Sequence, residues 1–270
     1  MALRTPEHFR WFGANAVVRE NLRKGVEYDP EVALEQHRGF VQAFEEAGVN
    51  VHYTDADPLL QYQVYTRDPA MMTPWGMLIG QMYRVQRRGE VVPTQRFCEE
   101  NGIPVWNWVT AGPLEGGDFH LIKPGVAAIG LSGDRTSPEA AGQVKAWFEA
   151  EGWEVRFIPI AEHFLHLDLL FSMISDDLAL ACVEVLEDEH LDWLRSLGIE
   201  IVPTTYKEAM ALSGNCLSLG DGRVISAGEA KSVNEKIRAH GIKVLDPDLS
   251  MFTQAGGGAR CLSQPLRRVG

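Results

Sequence analysis

Residues 45–53 read EEAGVNVHY. Helix-forming residues run into a glycine, and an apolar alternation follows it. A glycine just past a helix end takes the left-handed conformation without the steric cost that a side chain would carry. Alternation over a few residues is the pattern of a half-buried strand. The same signature returns four times, as EENGIPVWNW at 99–108, EAEGWEVRFI at 149–158, RSLGIEIVPT at 195–204 and RAHGIKVLDP at 238–247. Its glycines, Gly48, Gly102, Gly152, Gly198 and Gly241, are spaced 54, 50, 46 and 43 residues apart. Strand-like runs also precede the helices: GVAAIGL at 125–131, DLALACVEVL at 177–186 and GRVISAG at 222–228. The chain therefore reads as α/β, with about five strand–helix–strand modules.

Periodicity alone leaves two architectures open, a closed ring of modules and an open doubly wound sheet. A ring has a consequence for function. Equivalent loops would point to one axis, so site residues should be scattered along the sequence, one cluster per module, at strand ends.

Composition narrows the function classes. The chain has 270 residues, enough for a sizeable core, with no low-complexity segment and no long linker, so it reads as a single domain over 1–270. The net charge of −12 opposes general binding to nucleic acid or to an anionic membrane and suits a cationic or zwitterionic small substrate. No apolar run reaches the ~18 residues that a membrane span needs, and the opening residues carry no stretch of signal-peptide length. Cys98, Cys182, Cys216 and Cys261 are widely spaced with no C-x-x-C pair. That speaks against disulfides and a structural zinc site, and it predicts a cytoplasmic protein.

Four polar clusters stand in different modules. QVYTRDPAM holds Arg67 and Asp68; an apolar run before it predicts a strand that Pro69 ends, and a surface turn is the plainer alternative. GPLEGGDFHLI sets Glu115 and Asp118 around Gly116 and Gly117, which would let the backbone approach a ligand closely; a hairpin turn is the alternative. In EHFLHLDLLFSMI, His166 and Asp168 are two apart and would share one face of a strand, with Leu165, Leu167 and Leu169 on the other. His163 competes with His166 but has more peripheral neighbours, and a core histidine is the bland reading. The last cluster, GGGARCLSQP at 256–265, sets Cys261 behind three glycines that would clear an approach to its thiol. A lone cysteine is usually a small buried hydrophobe, and Cys98, Cys182 and Cys216 are read that way.

A thiol, a histidine and several carboxylates suit covalent catalysis on a cationic carbon. The carboxylates hold the cation, the thiolate attacks and the histidine moves protons. Carboxylates would oppose a developing oxyanion, which disfavours a protease.

Taken in order, TRDP, EGGD, HLD, GNCLSLGDGRVIS and GGGARCLSQPLRR resemble the guanidine-modifying (pentein) superfamily over about Tyr62 to Arg268. This superfamily comprises arginine deiminases, dimethylarginine dimethylaminohydrolases, arginine dihydrolases and amidinotransferases. The resemblance implies a five-bladed α/β propeller. It implies Cys261 as nucleophile, His166 as general acid/base and Glu115 as a catalytic guanidinium ligand. Asp68 and Asp168 would also bind the guanidinium, with Asp118 in support. Arg87, or its neighbour Arg88, and Arg135 would grip a substrate carboxylate. Relatives acting on arginine or methylated arginine often carry an acid where this chain has Tyr62, so the substrate stays open. The implied activity is hydrolysis of a small guanidino compound through a covalent thiouronium, with no metal or cofactor and no nucleic-acid or membrane partner. Self-association into a homo-oligomer is left open. The rivals are an amidinotransferase, which passes the amidino group to an amine, and a non-catalytic propeller used as a binding module.

Overall fold

The computed structural model describes residues 1–267. Arg268, the last arginine of the GGGARCLSQPLRR motif, lies outside them. Four times the chain builds the same three-stranded sheet, in which an antiparallel hairpin is followed by a helix and a parallel third strand. The first of these joins β3 (Ala70–Thr73) and β4 (Gly76–Ile79) through α3 (Val91–Glu100) to β5 (Val105–Trp108). The next runs β6 (Phe119–Lys123), β7 (Val126–Leu131), α4 (Pro138–Ala150) and β8 (Glu154–Pro159). It is followed by β9 (Phe171–Met173), β10 (Leu178–Cys182), α5 (Asp188–Ser196) and β11 (Glu200–Thr204). A short α6 (Tyr206–Met210) leads to β12 (Leu217–Gly220), β13 (Arg223–Ile225), α7 (Lys231–Ala239) and β14 (Lys243–Leu245), and α8 (Ser250–Thr253) follows.

The two ends of the chain make the fifth copy. β1 (Ala2–Leu3) pairs in parallel with β2 (His52–Tyr53), after α1 (Ala16–Arg23) and α2 (Pro30–Glu46), and Ala2 makes an antiparallel bridge with Gln264. The same strand order thus occurs here, with its hairpin partner drawn from the C-terminal segment. The five repeat glycines have φ between 63° and 79°, the left-handed conformation that the signature predicts.

Helix α4 shows how sequence dictates a module. Ser137 caps it by accepting from Ala140 N–H, Pro138 starts it, and Ala140, Ala141, Val144 and Phe148 face inward. Phe148 meets Trp75, Trp106 and Trp153 with ring centroids 5.1–5.5 Å apart.

The chain folds into two compact units. One comprises Met1–Ala14, Val51–Leu167 and the segment from Cys261 onward; the other comprises Asn15–Asn50 and Asp168–Arg260. The first has a core around Met71, Leu78, Ile129, Val144 and Phe148. The second is built around Leu180, Val202, Val224, Val233 and Ile237. Among the described residues no helix is long and apolar enough to cross a membrane.

Candidate active site

Each of the singled-out motifs occupies the same place in its module, the turn leading into the first strand. Asp68 precedes β3, Glu115 and Asp118 precede β6, His166 and Asp168 precede β9, Asn215 and Cys216 precede β12, and Cys261 precedes the Gln264 bridge. Two expected strands are absent here. Residues 61–69 hold turns and no strand, and the strand follows Pro69 instead of ending there. Leu167–Leu169 is a 3-10 turn, so His166 and Asp168 do not share a strand face. The cause is visible in the donors. Leu167 N–H is spent on Asp118 Oδ1 at 2.8 Å, and a backbone donor held by a side chain cannot join a ladder.

Main-chain bonds bring three motifs of the first unit together. Arg67 N–H donates to Cys261 C=O at 3.1 Å, and Gly116 N–H donates to Asp68 C=O at 2.9 Å. Thr66 Oγ1 reaches Leu262 C=O and Ala2 C=O, both at 3.2 Å. The glycine pair is needed for this approach. A Cβ on Gly116 would collide with the carbonyls of Arg67 and Ala70, and one on Gly117 would collide with the His166 ring. The close approach anticipated for a ligand is thus made by the protein itself.

On this frame the first unit gathers Asp68, Arg87, Glu90, Glu115, Asp118, Arg135, His166 and Cys261, each less than a tenth exposed. Glu115 is the hub. Its Oε2 lies 2.8 Å from His166 Nε2 and accepts from Arg135 Nη1 at 3.0 Å, while Oε1 accepts from Tyr83 N–H at 3.0 Å. Burial penalises its charge, but Arg135 and His166 outweigh that and hold its carboxyl well below the usual range. Arg135 also reaches Ala14 C=O at 3.5 Å. Asp118 receives the hydroxyls of Ser132 and Thr136, both at 2.6 Å, as well as Leu167 N–H, and so braces the turn that carries His166. Burial pushes Asp118 up to about 6 against these bonds.

Arg87 donates Nη1 to Asp68 Oδ2 at 2.8 Å, and Nε and Nη2 to Glu90 at 2.9 and 2.7 Å. The other oxygen of Asp68, Oδ1, is buried without a hydrogen-bond partner and lies 4.0 Å from His166 Nδ1. Burial would lower the pKa of His166, but Asp68, Glu115 and Asp118 outweigh it and lift the imidazole to about 9. The network therefore favours an imidazolium at neutral pH.

Several alternatives that the sequence left open are separated by exposure. Arg87 is buried and Arg88 exposed; His166 is buried and His163 exposed. Cys98, Cys182 and Cys216 are buried free thiols, and burial raises Cys98 to about 11 and Cys216 to about 12. Cys261 is buried too, at 3% exposure, so its setting beside Arg67 and Asp68 distinguishes it and its depth does not. Asp168 lies in the second unit, where Arg260 Nη1 donates to its Oδ2 at 2.7 Å. In that unit Asn215 Nδ2 donates to Asp168 C=O at 3.4 Å, and its Oδ1 accepts from Gly258 N–H at 3.1 Å. A Cβ on Gly258 would press on Asn215, so this glycine serves close packing.

Glu90, Ser132, Thr136 and Arg260 were not singled out in the sequence. Glu90 carries a signal, since it stands three residues after Arg87 on one helical turn. One oxygen each of Asp68 and Glu115 and a ring nitrogen of His166 lie within 4.8 Å of one another, close enough to surround a cation. Arg87 and Arg135 already donate to these two carboxylates.

The family model for eukaryotic N,N-dimethylarginine dimethylhydrolase matches residues 6–268. The chain is 29% identical over 240 residues to the uncharacterized protein YkgA of Bacillus subtilis, covering 88% of this chain and 81% of that one. It is also 29% identical to the arginine deiminase of Oenococcus oeni, over 76% of this chain but only 60% of that enzyme's length. Among solved structures, dimethylarginine dimethylaminohydrolase from Pseudomonas aeruginosa, a cysteine-to-serine mutant complexed with citrulline, superposes with a TM-score of 0.80 at 25% identity, covering 97% of each chain. The N-terminal domain of cyanobacterial ArgZ, covalently bound to a reaction intermediate, shares the fold with a TM-score of 0.86 at 22% identity, over 98% of this chain and 97% of that one. The chain belongs to the N,N-dimethylarginine dimethylhydrolase family and has the pentein fold of the guanidine-modifying enzymes.

Proposed function

We propose that this chain is a cysteine hydrolase of a small guanidino compound, with Cys261 as nucleophile and His166 as general acid and base. One observation carries the reading: Asp68 presents a buried carboxylate oxygen without a hydrogen-bond partner beside the His166–Glu115 pair. A buried acceptor of that kind is costly unless a donor arrives, and a guanidinium brings up to five.

The substrate guanidinium donates to Asp68, which orients it and keeps it protonated. The Cys261 thiolate adds to the central carbon. Collapse of the adduct expels one nitrogen as ammonia or an amine, which takes its proton from His166. A thiouronium remains on the sulfur. His166 then accepts a proton from water, whose oxygen adds to the same carbon, and the C–S bond breaks to release a ureido product and the thiolate. Glu115 holds the ring in position and favours its protonated form. Arg87 and Arg135 are the proposed receivers of a substrate carboxylate, each already held by an acid. The citrulline bound to the Pseudomonas relative is a ureido compound of the kind this reaction yields.

The test is a panel of arginine, its N-methylated forms, agmatine and shorter guanidino acids, with ureido product and released amine measured for each. Turnover of at least one of them is expected, and it should fall to background in Cys261→Ser while the melting temperature stays within a few degrees. Full activity in Cys261→Ser removes the mechanism. Amidino transfer to glycine, with no ureido product, replaces hydrolysis by the transferase.

A further inference from the structure

The carboxylate of Glu90 takes no part in the chemistry above, yet it is buried to 2% exposure. It ends the 3-10 turn Val85–Glu90 that runs into α3, and its carbonyl accepts from Thr94 Oγ1 at 3.3 Å. Its two oxygens take the Nε and Nη2 edge of Arg87 side-on. An ion pair at this depth repays little stability beyond its own desolvation, and its best-attested use is to fix geometry. Here it fixes the plane of Arg87 and presents Nη1 to Asp68 Oδ2. The rings of Tyr62 and Tyr65, with centroids 5.8 and 5.9 Å from the guanidinium carbon, limit where that plane can go. Tyr62 is itself held through its hydroxyl on Phe12 C=O at 3.2 Å.

The consequence falls on Asp68. A guanidinium has two edges that can engage a carboxylate bidentately. With the Nε edge committed to Glu90, Arg87 reaches Asp68 through Nη1 alone. Oδ1 is then left for a donor from outside. Released from Glu90, Arg87 could turn a bidentate edge onto Asp68 and occupy both oxygens, competing with the substrate as an internal guanidinium.

We propose that Glu90 is a positioning residue that, through Arg87, keeps Asp68 Oδ1 open to the substrate guanidinium. This rests on the guanidino-hydrolase reading. The test compares Glu90→Gln, Glu90→Asp, Arg87→Gln and the Arg87→Gln/Glu90→Gln double variant with the best substrate of the panel. Glu90→Gln should raise KM about tenfold or more, the size of one lost charged hydrogen bond, with kcat within about threefold. Glu90→Asp should recover part of the loss. The double variant should cost no more than Arg87→Gln alone, because Glu90 acts only through that arginine. An unchanged KM in Glu90→Gln, or an effect that adds in full to that of Arg87→Gln, overturns the proposal. If Glu90→Gln does not fold, Glu90→Asp carries the same KM-against-kcat comparison. A calorimetric titration of L-arginine into Cys261→Ser, with and without Glu90→Gln, separates the two readings. Equal Kd in the pair sinks the role of Glu90 even if the wild type is active. Absence of turnover across the panel, with arginine binding intact and weakened by Glu90→Gln, sinks the hydrolase and leaves Glu90 in place. No binding by either form counts against both.

Discussion

Two sets of turns recur in every module, and where they use glycine they use it for opposite reasons. At the helix ends, Gly152 has φ +79°, and a Cβ there would meet nothing within 4 Å. Backbone conformation alone requires it. In the turn before β6, Gly117 has no such φ, yet a Cβ there would strike the His166 imidazole. Proximity alone requires it. The first kind of turn builds the repeat and leaves the side chains around it free to vary. The second kind holds the proposed site residues, and at Gly117 it leaves no room for a side chain. Scaffold and site are thus alternate turns of the same backbone unit, the first reversing the chain after each helix and the second introducing the first strand.

Gly117→Ala should produce the largest break in this contrast. The methyl cannot be accommodated unless the imidazole moves, and the 2.8 Å bond from His166 Nε2 to Glu115 would go with it. A shift of about an ångström in a reacting group commonly costs on the order of 100-fold in rate. We expect a loss of at least that size in kcat/KM, with the fold retained by circular dichroism. Activity within twofold of wild type would mean that the ring does not sit against this glycine during turnover.

A smaller effect should follow from pH. His166 titrates near 9 in the folded chain and near 6.5 when unfolded, a gap worth about 3 kcal/mol. The imidazolium gains its partners on folding, so this stabilisation is fully present below about pH 6.5 and is lost as pH rises through about 9. Urea denaturation at pH 6.5 and pH 9.5 should show the decline, and His166→Asn should flatten it. The rate of amine release should fall over the same alkaline limb, where the proton that His166 supplies is lost. A stability profile equally steep in His166→Asn would assign the change to another group.

The contrast also explains what could be read from the sequence. The helix-end glycines were legible because a φ requirement writes one letter at a regular spacing, and all five positions carry it. The proposed site residues were legible as motifs, since Asp68, Glu115, Asp118, His166 and Cys261 each stand in one of the quoted stretches. What escaped was pairing. Glu90 belongs to no such stretch, and Arg260, although it stands in the Cys261 motif, carries no mark of its partner Asp168 there; an acid's choice of arginine depends on three-dimensional placement. The predicted strand over His166 and Asp168 failed for a related reason. Alternation describes side chains, but Leu167 N–H is diverted to a carboxylate 49 residues away in sequence, and no local pattern encodes that.

The smallest expected effect lies at the scaffold turns. Gly152→Ala puts a methyl into open space, so its cost is that of holding an L-residue in the left-handed region, about 1–2 kcal/mol. The melting temperature should fall by several degrees at most, with KM and kcat unchanged, because Gly152 follows α4 at the opposite end of its module's hairpin-to-helix path from Asp118. The comparison is sharpest when Gly152→Ala and Gly117→Ala are measured together. If position separates the roles of glycine, the first lowers stability without touching turnover and the second lowers turnover out of proportion to stability. A Gly152→Ala variant that lost activity at unchanged stability would show that the helix-end turn takes part in the chemistry, and the division between scaffold and site would have to be redrawn.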